Sequence, residues 1–554
     1  MIKNKIDQPN STKKLQIPQI SLIELFRKTA SSHKEKNALY FKGKFKTYEA
    51  LEEEINRFSS SLQNLGVKKG DRIAVLLPNC PQFYTVFFAA QSIGAIFTSF
   101  NPMYSSREIA QRLKDSEAKI FVTLNIFLDK IKTIEHEIPT KHIVVTSVAR
   151  ELPASKKYIY KLITARKNIS LDKSIDYEKL IQDGANKACD IKINPKNDVA
   201  ILQYTGGTTG EPKGAMLTHR NLISQATVLQ YWKNSLEKLP DGQFHVAGVL
   251  PYSHIFGLTS SFLWPISEGA TTYLVPDPRK LEEIMILIEK QKIHFLYCVP
   301  IFFKKFASHP LCQKYNLSSL HLCVSGGESL PNDTVQLFEE KTNCLLIEGY
   351  GLTEASPVSH INPPNKSGRK IGSIGIPIPN TIAKIMDTKT NKEITTVDTP
   401  GELWIKGPGI MKGYWNNPKA TKEALEEDWL RTGDIAMKTS TGYYSIIDRI
   451  KDIIIVSGYN VWPNEVEEIL SSHPNILEAA VIPHETEMGV KIKAILVSKP
   501  GLHVPTLEEI RAFCKESLAP YKIPFLIEYR DELPRSMVGK VLRSKLRAEP
   551  IPAV

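Results

Sequence analysis

Tyr204-Thr-Gly-Gly-Thr-Thr-Gly-Glu-Pro-Lys-Gly214 stands directly after the apolar run Val199-Ala-Ile-Leu202. Gly206, Gly207 and Gly210 let the backbone turn several N–H groups toward one point, while Thr205, Thr208, Thr209 and Lys213 add hydroxyls and a positive charge. That is chemistry for holding phosphate oxygens. The spacing is not that of a Walker A loop, which needs Gly-Lys-Ser/Thr in succession; here Glu211 and Pro212 separate Gly210 from Lys213. A P-loop NTPase is disfavoured. Taken alone, a Gly/Thr cluster reads equally well as an ordinary surface turn.

On both sides of this loop the chain alternates helix and strand. The positions Leu51, Ile55, Phe58 and Leu62 share a helical face, followed by strand 72–77, helix 81–92, strand 95–100, helix 105–115 and strand 119–123. The rhythm restarts after Gly269 with strands at 271–275, 294–299, 320–325 and 344–347, separated by helices at 280–290, 301–307 and 332–340. Two parallel sheets covered by helices within one large domain follow. Between Thr381 and Ile410 short alternating strands and Thr/Asn/Gly/Pro turns predict a small antiparallel barrel or sheet. Past Asp448 comes a compact α/β unit of roughly 100 residues, enough for an independent domain.

A chain of 554 residues is too long for one core, and its composition, 42% hydrophobic and 23% charged, is that of a globular protein. The seven cysteines are odd in number and form no C-x-x-C pair, so neither a disulfide framework nor a zinc site is signalled, and a reducing cytoplasmic setting is expected. Residues 1–16 carry neither the apolar core of a signal peptide nor the arginines of a transit peptide, and no run of 18 apolar residues is present. The net charge of +12 is dispersed, which disfavours a nucleic-acid binder.

Three further stretches add chemistry. Glu348-Gly-Tyr-Gly-Leu-Thr-Glu354 follows an apolar strand, at the carboxyl end where open parallel sheets bind ligands. Tyr350 offers a face for a purine, Thr353 a hydroxyl for phosphate, and Glu354 a hard oxygen for Mg²⁺. Gly326 and Gly327, in Ser325-Gly-Gly-Glu-Ser-Leu-Pro331, would let backbone approach an adenine edge, although a simple turn explains them nearly as well. Thr432-Gly-Asp434 supplies a carboxylate for a ribose diol, although an Asp after Gly is usually a turn residue.

In this order these stretches, with Asp448-Arg-Ile-Lys-Asp452 and Pro534-Arg-Ser-Met-Val-Gly-Lys540, resemble the acyl-adenylate-forming (AMP-binding) superfamily over nearly the whole chain. Thr-His-Arg-Asn at 218–221, Pro251-Tyr-Ser-His-Ile-Phe-Gly257 and Val456-Ser-Gly-Tyr-Asn-Val461 look closest to bacterial-type long-chain fatty acid:CoA ligases. The resemblance implies an α/β fold with a large N-terminal domain over 1–448 (ATP and acyl sites, two helix-covered sheets and a small β subdomain) and a mobile lid over 449–554. It implies Thr205 and Glu354 near Mg²⁺, and Gly326 and Gly327 beside adenine. Tyr350 stacks on that ring within Glu348, Gly349, Gly351 and Thr353, while Asp434 and Arg449 take the ribose. It further implies Lys540 as the catalytic lysine, Lys451 as the hinge and Gly458 beside the pantetheine channel of CoA. His254 reads either as a gate to the acyl pocket or as a satisfied half-buried histidine. Glu348 and Ile455 depart from relatives that carry Gln and Lys there.

The implied partners are a fatty acid, ATP and CoA, with Mg²⁺ as cofactor; a homodimer is compatible with this reading. Alternatives are a medium-chain or aryl-acid ligase, and a non-catalytic acyl or nucleotide sensor on the same fold. An amino-acid-activating domain would be expected to carry an acidic residue within 251–257, and none is present. Finally, Lys156 to Lys167 carries five positive charges and no acid, with Ile159, Leu162 and Ile163 on one helical face. Peripheral membrane contact is one reading of it and an ordinary core-facing surface helix the other.

Overall fold

The helix Pro81–Ser92 starts on a proline, whose missing N–H costs nothing in the first turn, and every one of its residues is buried. It is mostly apolar but also buries Gln82, Thr85, Gln91 and Ser92, so it is enclosed on all sides. In the computed structural model, which describes residues 14–157, 171–187, 189, 191–205, 212–236, 242–456, 459–486, 489–535 and 539–548, it packs with strand residues of two different sheets. One sheet has seven strands and contributes Ile73, Val75 and Phe97 to this core; the other has nine and contributes Leu39 and Leu274. The π-helix Leu258–Leu263 closes the gap between them, and Phe262 lies within 4.0–5.7 Å, centroid to centroid, of Phe83, Tyr84, Phe87, Phe88 and Tyr252.

Both sheets are largely parallel, as the alternating pattern predicts. The seven-stranded sheet ends on the antiparallel hairpin of Val199–Thr205 and Lys213–Thr218, in which Thr205 opposes Lys213. The glycine-rich loop is therefore a hairpin connection rather than a strand-to-helix turn, which agrees with the absence of a Walker A spacing; its residues 206–211 lie outside the described residues. The nine-stranded sheet carries Phe295–Cys298, Leu322–Ser325 and Leu345–Gly351 side by side in parallel register, so that Ser325 pairs with Glu348. Its far edge is Asn37–Phe41 and Lys44–Thr47, contributed by the N-terminal segment.

The antiparallel subdomain is larger than its sequence signal. It is a five-stranded sheet from Ile382–Met386 to Tyr444–Arg449, not a unit ending near 410. Its longest strand, Trp429–Lys438, runs through Thr432-Gly-Asp434, which reads locally as a turn; Gly433 takes φ +70 and the ladder shifts register just beyond, between Ile435 and Ala436. A bulge accommodates the turn-like residues without ending the strand.

The C-terminal unit has its own core. Strands Ile476–Thr486, Gly489–Ser498 and Leu526–Tyr529 form its sheet, with helices Pro463–Ser472, Leu507–Lys515 and Arg543–Ala548 around them. Among the described residues no helix is long and apolar enough to cross a membrane. Residues 158–170, which hold most of the basic amphipathic stretch, lie outside the described residues.

Candidate active site

The segment 411–415 builds the first half of the site by pairing with the hairpin. Met216 donates to Gly413, Lys412 to Met216 and Trp415 to Gly214, and the neighbouring Met411 N–H donates to the Glu354 carbonyl. This stitching places Tyr414 between two residues singled out in the sequence. Its Oη donates to Glu354 Oε1 at 2.5 Å, and the Lys213 ammonium lies 5.4 Å from the centre of its ring. Thr205, opposite Lys213 in the ladder, completes a rim of hydroxyl, ammonium and carboxylate around the hairpin turn.

The second half is a cross-strand arrangement. Asp434 and Arg449 are register partners on neighbouring strands, with Arg449 Nε 3.1 Å from Asp434 Oδ1. Tyr350 Oη donates to the other carboxylate oxygen, Oδ2, at 2.5 Å. Asp434 is buried, so a carboxylate there depends on these two partners. Tyr350, Asp434 and Arg449 thus form one unit, joined by a hydrogen bond and an ion pair and drawn from two sheets.

Between the strands Leu322–Ser325 and Leu345–Gly351 the backbone is tightly approached. A Cβ built on Gly326 would stand 3.0 Å from the Phe256 ring and 3.1 Å from the Gly349 carbonyl, so a larger residue would have to displace the ring. Gly327, Gly349, Gly351 and Thr353 flank the same strand ends. Glu348, one residue before Gly349, is buried, and that burial pushes its carboxyl up to about 8; a backbone hydrogen bond from Leu330 offsets only part of the effect. That burial favours the protonated carboxyl. His254 is held well down at about 4 by burial and accepts from the Phe256 N–H at 3.3 Å. It is a neutral helix cap, and the side chain that lies against Gly326 is Phe256.

Lys540 enters from the C-terminal unit. Burial first, then Arg449 and Lys451, lowers its pKa to about 8, while Asp434 and Glu328 act in the opposite direction. Glu354 also acts electrostatically on both Arg449 and Lys451. The charges of the hairpin rim, the Tyr350 unit and the lysine loop are therefore gathered at one place. Asp448 fixes the start of the connection to the C-terminal unit, accepting from the Arg449 and Asn464 N–H groups at 2.8 Å each, and Lys451 lies in the short 3₁₀ turn Ile450–Asp452 that follows. Gly458 lies outside the described residues.

Sequence reading missed Tyr414 and Phe256. Neither carries a local signal, because Tyr414 becomes a partner of Glu354 only when 411–415 pairs with a hairpin some 200 residues earlier in the chain. For a divalent cation the donors are of the right kind: Glu354 and Thr205 offer hard oxygens, the set Mg²⁺ takes together with substrate phosphates and water. Among the described residues no cluster of three His, Cys, Asp or Glu is present.

The family described as AMP-binding enzyme matches residues 26–415, and that described as AMP-binding enzyme C-terminal domain matches residues 465–540. A long-chain-fatty-acid–CoA ligase of Bacillus subtilis is 38% identical over 97% of this chain and 95% of its own length. One of Escherichia coli O157:H7 is 35% identical over 96% and 94%. The 4-coumarate–CoA ligase 1 of Solanum tuberosum is 32% identical over 91% and 88%. Among solved structures, the anthranilate CoA ligase AuaEII in complex with anthranoyl-AMP superimposes with a TM-score of 0.83 at 26% identity, covering 96% of this chain and 98% of that one. ATP-bound MatB from Rhodopseudomonas palustris gives 0.83 at 25%, covering 96% and 99%.

Proposed function

Since the chain belongs to the AMP-binding enzymes, we propose that it is a long-chain fatty acid:CoA ligase, which activates a fatty acid as acyl-AMP with ATP and passes the acyl group to CoA. A carboxylate is a poor electrophile. Attack of its oxygen on the α-phosphorus of ATP breaks the bond to pyrophosphate and leaves the acyl carbon attached to a good leaving group. A thiolate then attacks that carbon and AMP departs. The observation that carries this reading is the convergence of Lys213, Glu354, the Tyr350–Asp434–Arg449 unit and Lys540.

In this reading the phosphate loop 205–210, with Lys213, binds the triphosphate. Tyr350 backs the adenine, bordered by the backbone of Gly326, Gly327 and Gly349, while Asp434 and Arg449 hold the ribose. Lys540, as an ammonium, offsets charge on the oxygens that converge on the α-phosphorus. Mg²⁺, held through Glu354 and Thr205, would neutralise phosphate charge. Residues 1–448 form the body of the enzyme and 449–554 the lid, pivoting at Lys451, with Gly458 beside the path of pantetheine.

The test is a panel of acids from acetate to oleate, with cinnamate, assayed for AMP release with and without CoA. A CoA-dependent thioester from medium- to long-chain acids is expected. ADP as product, or no thioester from those acids, would overturn the reading; a preference for cinnamate would favour an aryl-acid ligase instead. The same reading sets the enzyme in the cytoplasm and brings the basic stretch Lys156 to Lys167 to an anionic bilayer, where long-chain acids partition. Flotation with anionic liposomes that is indifferent to salt and to Lys156→Glu with Lys157→Glu would remove the membrane part alone.

A further inference from the structure

Glu328, in the loop after the strand Leu322–Ser325, has no part in the chemistry described above. It follows Gly327, whose φ of +92 is open to glycine, and its side chain crosses to the C-terminal unit. Oε1 accepts the backbone N–H of Val541 at 3.1 Å, and Oε2 lies 3.9 Å from Arg535 Nη1. Val541 directly follows Lys540. Arg535 braces the same loop from its other end, donating to the Gly539 carbonyl at 2.5 Å and to Glu478 at 2.8 Å. Gly539 itself rests on the large domain: a Cβ there would stand 2.9 Å from Ile301 Cγ2 and 3.4 Å from Val299 Cγ2, and its φ is +81.

The lysine loop is therefore seated on an apolar shelf and tied down by one carboxylate from the opposite domain. Placing a carboxylate in a partly buried contact has a desolvation cost, which is recovered here only while the two domains stay in this arrangement. Burial raises the proton affinity of Glu328; Arg535, Lys540 and Arg543 together with the Val541 N–H counter it.

We propose that Glu328 is a positioning residue: by holding the backbone at Val541 it latches the lid with Lys540 at the nucleotide, and it must let go before the acyl group is transferred to CoA. This rests on the role given to Lys540 above. A latch of this kind favours one half-reaction at no benefit to the other, because a contact made in only one of two arrangements shifts the balance between them.

The two half-reactions separate the possibilities. Acyl-AMP formation is followed by ATP–pyrophosphate exchange, and transfer is followed with supplied acyl-AMP and CoA, in wild type, Glu328→Ala, Glu328→Gln and Lys540→Ala. Glu328→Ala is expected to slow acyl-AMP formation about tenfold, the scale of losing one charge-assisted hydrogen bond, with transfer unchanged or faster. Glu328→Gln keeps an acceptor for the Val541 N–H but removes the charge. The charges facing Lys540 are Arg449, Lys451, Asp434 and Glu328, so losing this carboxylate lowers the proton affinity of the lysine further. The alkaline limb of acyl-AMP formation, expected near pH 8 in wild type, should therefore move to lower pH in Glu328→Gln while the rate on the plateau below it is largely kept. A merely structural role would not move that limb. Equal loss of both half-reactions in Glu328→Ala, or wild-type rates and an unmoved limb in both variants, would overturn the latch. Undiminished acyl-AMP formation in Lys540→Ala would overturn the role of the lysine, and the latch with it.

Discussion

Glu348 shows how a single side chain can be chemically altered by its place in the fold. It lies on a strand buried between neighbours, and its carboxyl is raised from the ordinary 4.5 to about 8 by burial. The folded protein therefore holds a proton that the unfolded chain releases. Stability from this residue is complete below about pH 4.5, declines as pH rises and is lost once pH has passed about 8. Glu348→Gln, which keeps the shape and cannot ionise, is expected to melt like wild type at pH 4 and several degrees higher at pH 9, a difference on the order of a few kcal/mol. Thermal melts across that range check it, and parallel pH curves for the two proteins would show that Glu348 is already solvated. A protonated Glu presents a donor and an acceptor much as Gln does.

Among the elements, the π-helix Leu258–Leu263 carries the most concentrated packing. Phe262 is fully buried and meets five aromatic rings, four of them from the helix Pro81–Ser92. Truncation leaves a cavity that rings anchored in a fully buried helix cannot collapse to fill, so Phe262→Ala is expected to cost about 3–5 kcal/mol. Urea unfolding should show a lowered midpoint. An unchanged midpoint would mean that the two sheets close on each other without this wedge. The helix Pro81–Ser92 was legible in the sequence because its run from Phe83 to Ala90 is apolar but for Thr85, a pattern that suits a buried helix. The π-helix was not, because its extra backbone turn is set by the fit between two sheets rather than by its own residues.

For the whole molecule the telling feature is the connection between the units. Asp448 is fixed by two backbone donors, Arg449 pairs with Asp434 on the neighbouring strand, and Lys451 follows in a short 3₁₀ turn. Beyond it, Asp452 pairs with Arg543 and Arg547 of the last described helix, which ties the residue after the turn to the C-terminal unit. Lys451 stands between these two anchored residues, Asp448 and Asp452. Lys451→Pro, which restricts φ, is expected to leave acyl-AMP formation largely intact and to impair transfer to CoA at least tenfold. The two half-reactions measured separately decide it, and equal impairment of both would count against a pivot at this point.

The sequence by itself determined the alternation of helix and strand, the two sheets and the separate C-terminal unit, and it singled out the loops proposed to carry the chemistry. These are written in short-range patterns: period 3.6 against short apolar runs, glycines beside hydroxyls, a carboxylate after a strand. It could not reveal that Thr432-Gly-Asp434 lies inside a ten-residue strand, because Gly433 in its positive-φ conformation looks the same in a bulge as in a turn. Nor could it join Tyr414 to Glu354 or Glu328 to Val541, 60 and 213 residues apart. His254 left two readings open in the sequence; the contact it makes, accepting the Phe256 N–H, and the approach of the Phe256 ring to Gly326 appear only in the folded chain. Those assignments depend on which strand edges meet and how much water they exclude, and only the packed chain fixes either.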